Sequence, residues 1–312
     1  LKNGEDVAIL MSTFNGAAYI AQQIDSIRAQ SYAGWTLYVR DDGSTDDTVA
    51  ILQKLRLIDQ RIVLCDEEQP MNLGPATSFM TLLAKVEADY YLFADQDDVW
   101  LPDKIEKTLL VMTRLAPHEP NLVHTNLSLT DGELNVVAPS FNEVAYDDVQ
   151  SLLLANDITG CTVMVNRQLR ELVKQSVTLP CMHDMWMGLV AAQFGNIAYL
   201  KTPTILYRQH GGNVVGSTTS RLAKLKAINS AAEKARLLTT VVTAREFLRR
   251  YGHHLSATES KPITTLAQLG QVPLFSALWR LQRNHIYKHS FGATVSFFLK
   301  LTLHYSDLKH RI

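Results

Sequence analysis

Apolar residues come in short bursts along the first hundred positions, and each burst ends in a polar knot. Val7–Met11 is uniformly apolar and reads as a buried strand, stopped by Ser12-Thr13-Phe14-Asn15-Gly16. Ile20, Ile24 and Ile27 then recur at helical spacing. Leu37–Arg40 is a second strand, ended by Asp41-Asp42-Gly43-Ser44. Ser44 and Asp47 have capping-box spacing, which predicts the start of a helix carrying Val49, Leu52 and Leu55. Ile62–Leu64 is a third strand, and the turn Asn72-Leu73-Gly74-Pro75 leads into a helix near Thr77–Lys85. Tyr90–Ala94 is a fourth strand and runs into Asp95-Gln96-Asp97-Asp98, after which Pro102 opens another helix. Alternating strands and helices predict an α/β fold, a mostly parallel sheet with helices on both faces. Ligands of such sheets bind at the carboxyl ends of the strands. The knots after strands one, two and four all fall on that edge.

Residues 121–210 are mixed, with strands at Leu122–His124, Thr162–Val165 and Ile197–Leu200. From about Thr219 the pattern turns helical. Leu222, Leu225, Leu237, Val241 and Leu248 recur among basic residues, Lys261-Pro262 is expected to break the run, and residues 274–303 are basic and aromatic. The division expected is therefore a catalytic domain over 1–218 and a basic helical region over 219–312. No internal repeat or low-complexity tract is present.

Charge sharpens that division. The 312 residues carry a net charge of −1, which points to no nucleic-acid partner. Residues 1–219 hold 15 Lys/Arg against 27 Asp/Glu, a balance of −12, whereas 220–312 hold 15 against 4, a balance of +11. Cys65, Cys161 and Cys181 are odd in number and widely spaced, so neither a disulfide framework nor a zinc site is expected, and a cytoplasmic setting fits. No signal-peptide pattern and no apolar run of about 18 residues is seen, so no membrane-spanning helix is expected.

The chemistry-bearing residues sit in the knots. Asp95, Asp97 and Asp98 are too close to remain ionised together without a cation or protons. A hard divalent ion, Mg²⁺ or Mn²⁺, is the natural partner, with phosphate oxygens completing its shell. The plainer alternative is a cap cluster at a helix start. Thr13, Asn15, Asp41 and Asp42 could meet a base or ribose, or simply cap their own loops. Neither G-x-G-x-x-G nor G-x-x-x-x-G-K-[ST] occurs, which removes the best support for dinucleotide dehydrogenases and P-loop enzymes. Trp100 and Trp186 could stack on sugar, with core packing as the default.

Taken together, Val7–Gly16, Asp41–Asp46, Asn72-Leu73-Gly74 and Asp95-Gln96-Asp97-Asp98, followed by His183-Asp184 and Tyr207-Arg208-Gln209-His210-Gly211-Gly212-Asn213, resemble the GT-A fold, family 2 glycosyltransferases. The resemblance covers about the first 215 residues. The phrases Asp95–Lys104 and Leu206–Val215 look closest to bacterial rhamnosyltransferases of cell-surface polysaccharide synthesis, which implies dTDP-L-rhamnose as donor and a glycan or polyprenyl-diphosphate-linked acceptor. It implies that Thr13, Asn15, Asp41, Asp42, Asn72 and Gly74 line the nucleotide site. It places Asp95 and Asp97 at the diphosphate and metal, with Asp98 a third candidate ligand. Asp184 matches the catalytic base of an inverting displacement, with His183 standing where the family often has Glu. His210 matches a late histidine that reaches the metal or diphosphate, and Gly211 and Gly212 beside it permit close backbone approach.

Three other readings stay open on the residues alone. A glycosidase would need two acids flanking the sugar; a nucleotidyltransferase would share the acids and metal; a non-catalytic sugar-binding subunit would need no base. A UDP-sugar is the alternative donor. The basic tail suits an amphipathic element on the inner face of the plasma membrane. Helices packed on the acidic domain, a homodimer interface or solvated faces would account for it as well.

Overall fold

The computed structural model describes residues 4–66, 71–141, 145–210 and 230–311. The chain divides into two compact units, one of Leu1–Asp147 with Asp157–Asn213, the other of Asp148–Asn156 with Val214–Ile312.

The first unit is built on a nine-stranded sheet. Its strands are β1 (Val7–Thr13), β2 (Trp35–Asp41), β3 (Ile62–Cys65), β4 (Tyr90–Ala94), β5 (Val99–Trp100), β6 (Asn121–Thr130), β7 (Val136–Ala138), β8 (Val163–Asn166) and β9 (Asn196–Arg208). The order is β3-β2-β1-β4-β8-β6-β9-β5, with β7 on β6. Pairs β1–β2, β2–β3, β1–β4 and β6–β9 are parallel. Strand β8 runs antiparallel between β4 and β6, and β5 and β7 are antiparallel to their neighbours. The sheet is thus more mixed than the chain pattern suggests. Only its β3-β2-β1-β4 half is purely parallel, and there the order reverses at β1. In open α/β sheets ligands bind at such a reversal, here at the carboxyl ends of β1 and β4.

Helices α1 (Ile20–Arg28), α2 (Thr48–Ile58), α3 (Pro75–Lys85), α4 (Lys104–Met112), α6 (Arg167–Val173) and α7 (His183–Phe194) belong to this unit. Val7–Met11 is wholly inaccessible, and Ile20, Ile24 and Ile27 bury the expected face of α1. Each such side chain contributes about 1.5–3 kcal/mol through burial. Helix α3 starts where the turn predicts: Gly74 takes φ 75°, a left-handed value that suits glycine, and Pro75 fills the first helical position. The Ser44–Asp47 capping box is not formed. Ser44 Oγ instead donates to Asp41, and Asp46 accepts the Thr48 N–H at 3.0 Å. Trp100 and Trp186 are 2% and 0% exposed, in the packing role.

The second unit is helical: α5 (Val149–Leu154), α8 (Ala231–Tyr251), α9 (Ala257–Ala267), α10 (Leu274–Arg283) and α11 (Phe291–Arg311). Helix α5, inside the stretch expected to be wholly catalytic, packs against α8 and α9. Leu237, Val241, Ala244 and Phe247 bury one face of α8, while Leu222 and Leu225 lie outside the described residues. Lys261-Pro262 does not break the run. Pro262 sits inside α9, which starts on a complete Ser256–Glu259 capping box and buries Ile263 and Leu266, and the break falls earlier, at Gly252–His254. No described helix is long and apolar enough to cross a membrane.

Candidate active site

The loops after β1 and β2 are tied to each other by their own side chains. Asp41 Oδ1 accepts from Thr13 Oγ1 at 2.8 Å and Ser44 Oγ at 2.6 Å, and Oδ2 accepts from the N–H of Gly43 and Ser44. Asn15 holds a left-handed φ of 48°, supported by Oδ1 accepting from Thr45 N–H and its own N–H donating to Ser44 Oγ, each at 2.8 Å. Asp42 is 3% exposed, and its carboxylate accepts from Arg40 at 2.5 Å, from the N–H of Leu73 and Gly74 at 2.8 Å, and from Ser78. Two residues expected to line a nucleotide, Thr13 and Asp42, therefore stand behind the surface, their polar atoms spent on protein partners. Asn15 and Asn72 remain exposed and Asp41 half-buried, while the half-buried Gly74 turns its N–H to Asp42 and its carbonyl to the Ser78 N–H.

Arg40 was not singled out from the sequence, because a lone arginine ending a strand carries no signal. At 2% exposure it also donates to Ser78 Oγ and to the Met71 carbonyl. Removing one partner of a buried pair costs about 3–5 kcal/mol. Arg40→Leu is accordingly expected to lower unfolding stability by about 3 kcal/mol, read from the urea midpoint. Adding Asp42→Asn should recover part of the loss; full recovery or none would contradict the pairing.

Gln96, the residue between the first two acids, clamps the β1 loop. Its Oε1 accepts the Phe14 N–H at 2.9 Å and its Nε2 donates to the Phe14 carbonyl at 3.0 Å. The clamp lies so close over Gly16 that a Cβ there would come within 2.2 Å of Gln96 Oε1. The position of the nucleotide-side loop thus depends on the acid loop. With two hydrogen bonds lost at about 1 kcal/mol each, Gln96→Ala should raise the donor KM up to about thirtyfold with a smaller change in kcat. Equal KM values for both proteins would remove the clamp from the account.

The acids themselves differ in setting. Asp98 is 1% exposed; one oxygen accepts the Arg208 N–H at 3.3 Å, and Oδ2 is buried without a hydrogen-bond partner. Asp95 and Asp97 are half-buried and accessible. Asp95, Asp98 and Cys161 bring potential ligand atoms within 4.8 Å of one another. Burial, and then the charges of Asp97 and Asp184, push the Asp95 carboxyl up to about 7. Burial and the charges of Asp95 and Asp97 push Asp98 well up. Behind them, Lys104 is fully buried with its amine over the Trp100 ring at 4.8 Å, and burial lowers it to about 8. Carboxylates that resist ionising together, two of them accessible, fit a divalent cation bound by oxygen ligands. Cys161, whose thiol burial raises well above the usual range, stays protonated and is a poor partner for a hard ion.

His210 Nε2 meets Asp97 Oδ2 at 2.7 Å, and its ring stacks on Tyr19 at 4.9 Å. Arg208, two residues before it at the end of β9, donates to the Asp97 carbonyl at 2.9 Å and to Gln22 at 2.6 Å. It lies over Tyr19 at 4.9 Å. Strand β9 thereby delivers His210 to the acids from 113 residues away. Gly211, Gly212 and Asn213 lie outside the described residues.

Asp184 sits in the first turn of α7, 9% exposed, accepting from Met185 N–H at 2.5 Å and from the Gly160 N–H. Burial raises it to about 6. Its charge acts on Asp95, so base candidate and acid cluster share one site. His183 points elsewhere, packed on Phe79 and Phe93 with ring centroids 4.4 and 5.1 Å away. Burial lowers it to about 3 and keeps it neutral. A Cβ on Gly160 would lie 2.8 Å from His183 Nε2 but an ordinary 3.7 Å from Asp184 Oδ2, so this glycine makes room for the His183 ring. A cavity of about 400 Å³ near Tyr90, Asn121, Asn166 and Arg167 lies at the opposite, amino end of β4 and β6 and holds none of these groups.

Comparison with known proteins agrees with this architecture. The family model described as Glycosyl transferase family 2 matches residues 8–118. The dTDP-rhamnosyl transferase RfbG of Shigella flexneri is 27% identical over 237 residues, covering 72% of this chain and 80% of that protein. The UDP-Glc:alpha-D-GlcNAc-diphosphoundecaprenol beta-1,3-glucosyltransferase WfgD of Escherichia coli is 30% identical over 198 residues, 62% of this chain and 72% of that protein. Among solved structures, S. aureus TarS (residues 1–349) superposes with a TM-score of 0.61 at 14% identity, covering 98% of this chain and 90% of that one, a likeness of fold. The chain belongs to glycosyl transferase family 2 and has the GT-A fold.

Proposed function

We propose that the chain is a metal-dependent inverting glycosyltransferase that moves L-rhamnose from dTDP-L-rhamnose to a hydroxyl of a glycan or polyprenyl-diphosphate-linked acceptor, in cell-surface polysaccharide synthesis. The observation that carries the reading is the pairing of one buried, partly basic carboxylate, Asp184, with the accessible pair Asp95 and Asp97. Asn15, Asp41 and Asn72 line the nucleotide side, and Gly74 holds its turn against Asp42. Asp42 and Thr13 hold those loops in place.

Asp95 and Asp97 would hold a divalent cation, Mg²⁺ or Mn²⁺, which when bound neutralises the diphosphate charge. His210 orients Asp97 through its Nε2. Asp98, turned inward, fixes the Arg208 backbone and so the end of β9. Asp184 accepts the proton of the acceptor hydroxyl as the new bond to the anomeric carbon forms and the bond to the diphosphate oxygen breaks. Protein groups around Asp184 keep water away and raise its basicity above that of an exposed carboxylate.

The likeness to RfbG supports the rhamnosyl donor. The likeness to WfgD favours a second reading, a UDP-sugar donor on the same machinery. Calorimetry with dTDP-rhamnose, UDP-glucose, UDP-galactose and UDP-GlcNAc, each with Mg²⁺, Mn²⁺ or chelator, separates them. Metal-dependent binding of dTDP-rhamnose alone is expected. Tight binding of a UDP-sugar instead would move the chain to the second reading, and binding of no donor would turn it into a non-catalytic subunit.

A further inference from the structure

Helix α11 has two apolar faces, and only one of them is used. Phe297, Leu301, Tyr305 and Leu308 are buried within the second unit. On the other side Phe291, Val295, Leu299 and Leu303 follow at four-residue steps and are 86%, 50%, 47% and 50% exposed. Helix α10 repeats the arrangement: Ala277 and Leu281 are buried, while Phe275 and Trp279, one turn apart, are 82% and 50% exposed. Side chains this large and apolar, recurring at helical spacing on two helices of one unit, exceed scattered exposure.

The charge around them has one sign. Residues 230–311 hold 12 Lys/Arg and 4 Asp/Glu. The acids are occupied: Glu233 with Lys300 and Arg236, Glu246 with Arg249 and Arg250, Asp307 with Lys234, and Glu259 in the α9 capping box. Arg283 lies over the exposed Trp279 ring at 4.9 Å and Arg280 donates to Gln268; neither has a carboxylate partner among the described residues. A second copy of this surface would bring like charges together. A nucleic-acid backbone would leave the Phe and Leu stripe in water. An anionic bilayer surface satisfies both components, taking the apolar side chains below the headgroups and the cations at their level.

We propose that α10 and α11 form a monotopic docking surface for anionic phospholipid, with Phe275, Trp279, Phe291 and Leu299 inserted and Arg280 and Arg283 at the phosphates. The inference does not rest on the donor assignment. Cosedimentation of the whole chain with vesicles tests it, using phosphatidylcholine alone and phosphatidylcholine mixed with phosphatidylglycerol. Binding only to the mixed vesicles is expected, weakening steeply with salt. The F275S/W279S/F291S variant should lose more than tenfold in partitioning. The R280Q/R283Q variant should lose roughly fivefold per charge. Nucleotide-sugar binding by both variants, measured in the same preparations, controls for folding and should stay unchanged. No cosedimentation at low salt, equal partitioning of wild type and both variants, or a dimer by light scattering that the serine variant abolishes would each overturn the proposal.

Discussion

Asp184→Asn is expected to lower kcat about a thousandfold, within the range that a positioned general base contributes, while the donor still binds with unchanged affinity. The amide keeps the size and the hydrogen bond from Gly160 but cannot take a proton. The pH profile supplies an independent check. Burial raises Asp184 to about 6, and the base must be ionised to work, so kcat/KM should fall as pH drops through about 6 and level off above it. An exposed carboxylate would place that limb about two units lower. Single-turnover transfer measured across pH reads both effects. Wild-type turnover in the Asn variant would exclude this residue as the base and leave Asp184 as a helix-start carboxylate.

The second large effect is expected at the acids. Asp95→Asn should weaken metal-dependent donor binding by on the order of a hundredfold or more, since even residues that merely orient ligands are worth about 10–100-fold. The pH dependence has a definite sign. Asp95 is held at about 7, chiefly by burial and then by the charges of Asp97 and Asp184, so near neutrality the site carries a proton that a cation must displace. Metal affinity should therefore rise as pH rises through 7 and decline below it, with proton release on binding. Titration calorimetry in buffers of different ionisation enthalpy measures that proton directly. Asp95→Asn should lose both affinity and proton release. Asp98→Asn should act mainly through stability and the end of β9, because Asp98 is turned inward. A larger loss of metal affinity in Asp98→Asn than in Asp95→Asn would reverse that assignment.

Much of the catalytic unit was legible because its signals are local. Buried strands announce themselves as apolar runs, and Val7–Met11 and Tyr90–Ala94 lie inside or on the observed strands. The acids declare their chemistry by sequence proximity alone, since three carboxylates within four residues must find a cation or protons wherever the chain goes. The order of the knots also located the functional edge, because parallel crossovers bring the carboxyl ends of β1, β2 and β4 to one side.

What tertiary structure decided is which polar atom meets which. Asp41 and Asp42 are neighbours of one chemical type, yet one braces two loops at the surface and the other is buried against Arg40, Leu73 and Gly74. Adjacent residues at a strand end point in opposite directions, so only the packed fold assigns them. The partners of Gln96, His210 and Asp98 lie 82, 113 and 110 residues away, beyond any periodicity. The same holds for Gly160, whose missing side chain matters only because α7 delivers His183 against it. Pro262 shows the converse, a strong local breaker overridden by a capping box and buried neighbours. By itself the sequence determined the strands of the parallel half and the edge where their polar loops gather, because these follow from local pattern. The fold alone determined which carboxylates stay accessible and which hold the frame, because burial and long-range hydrogen bonding set those roles.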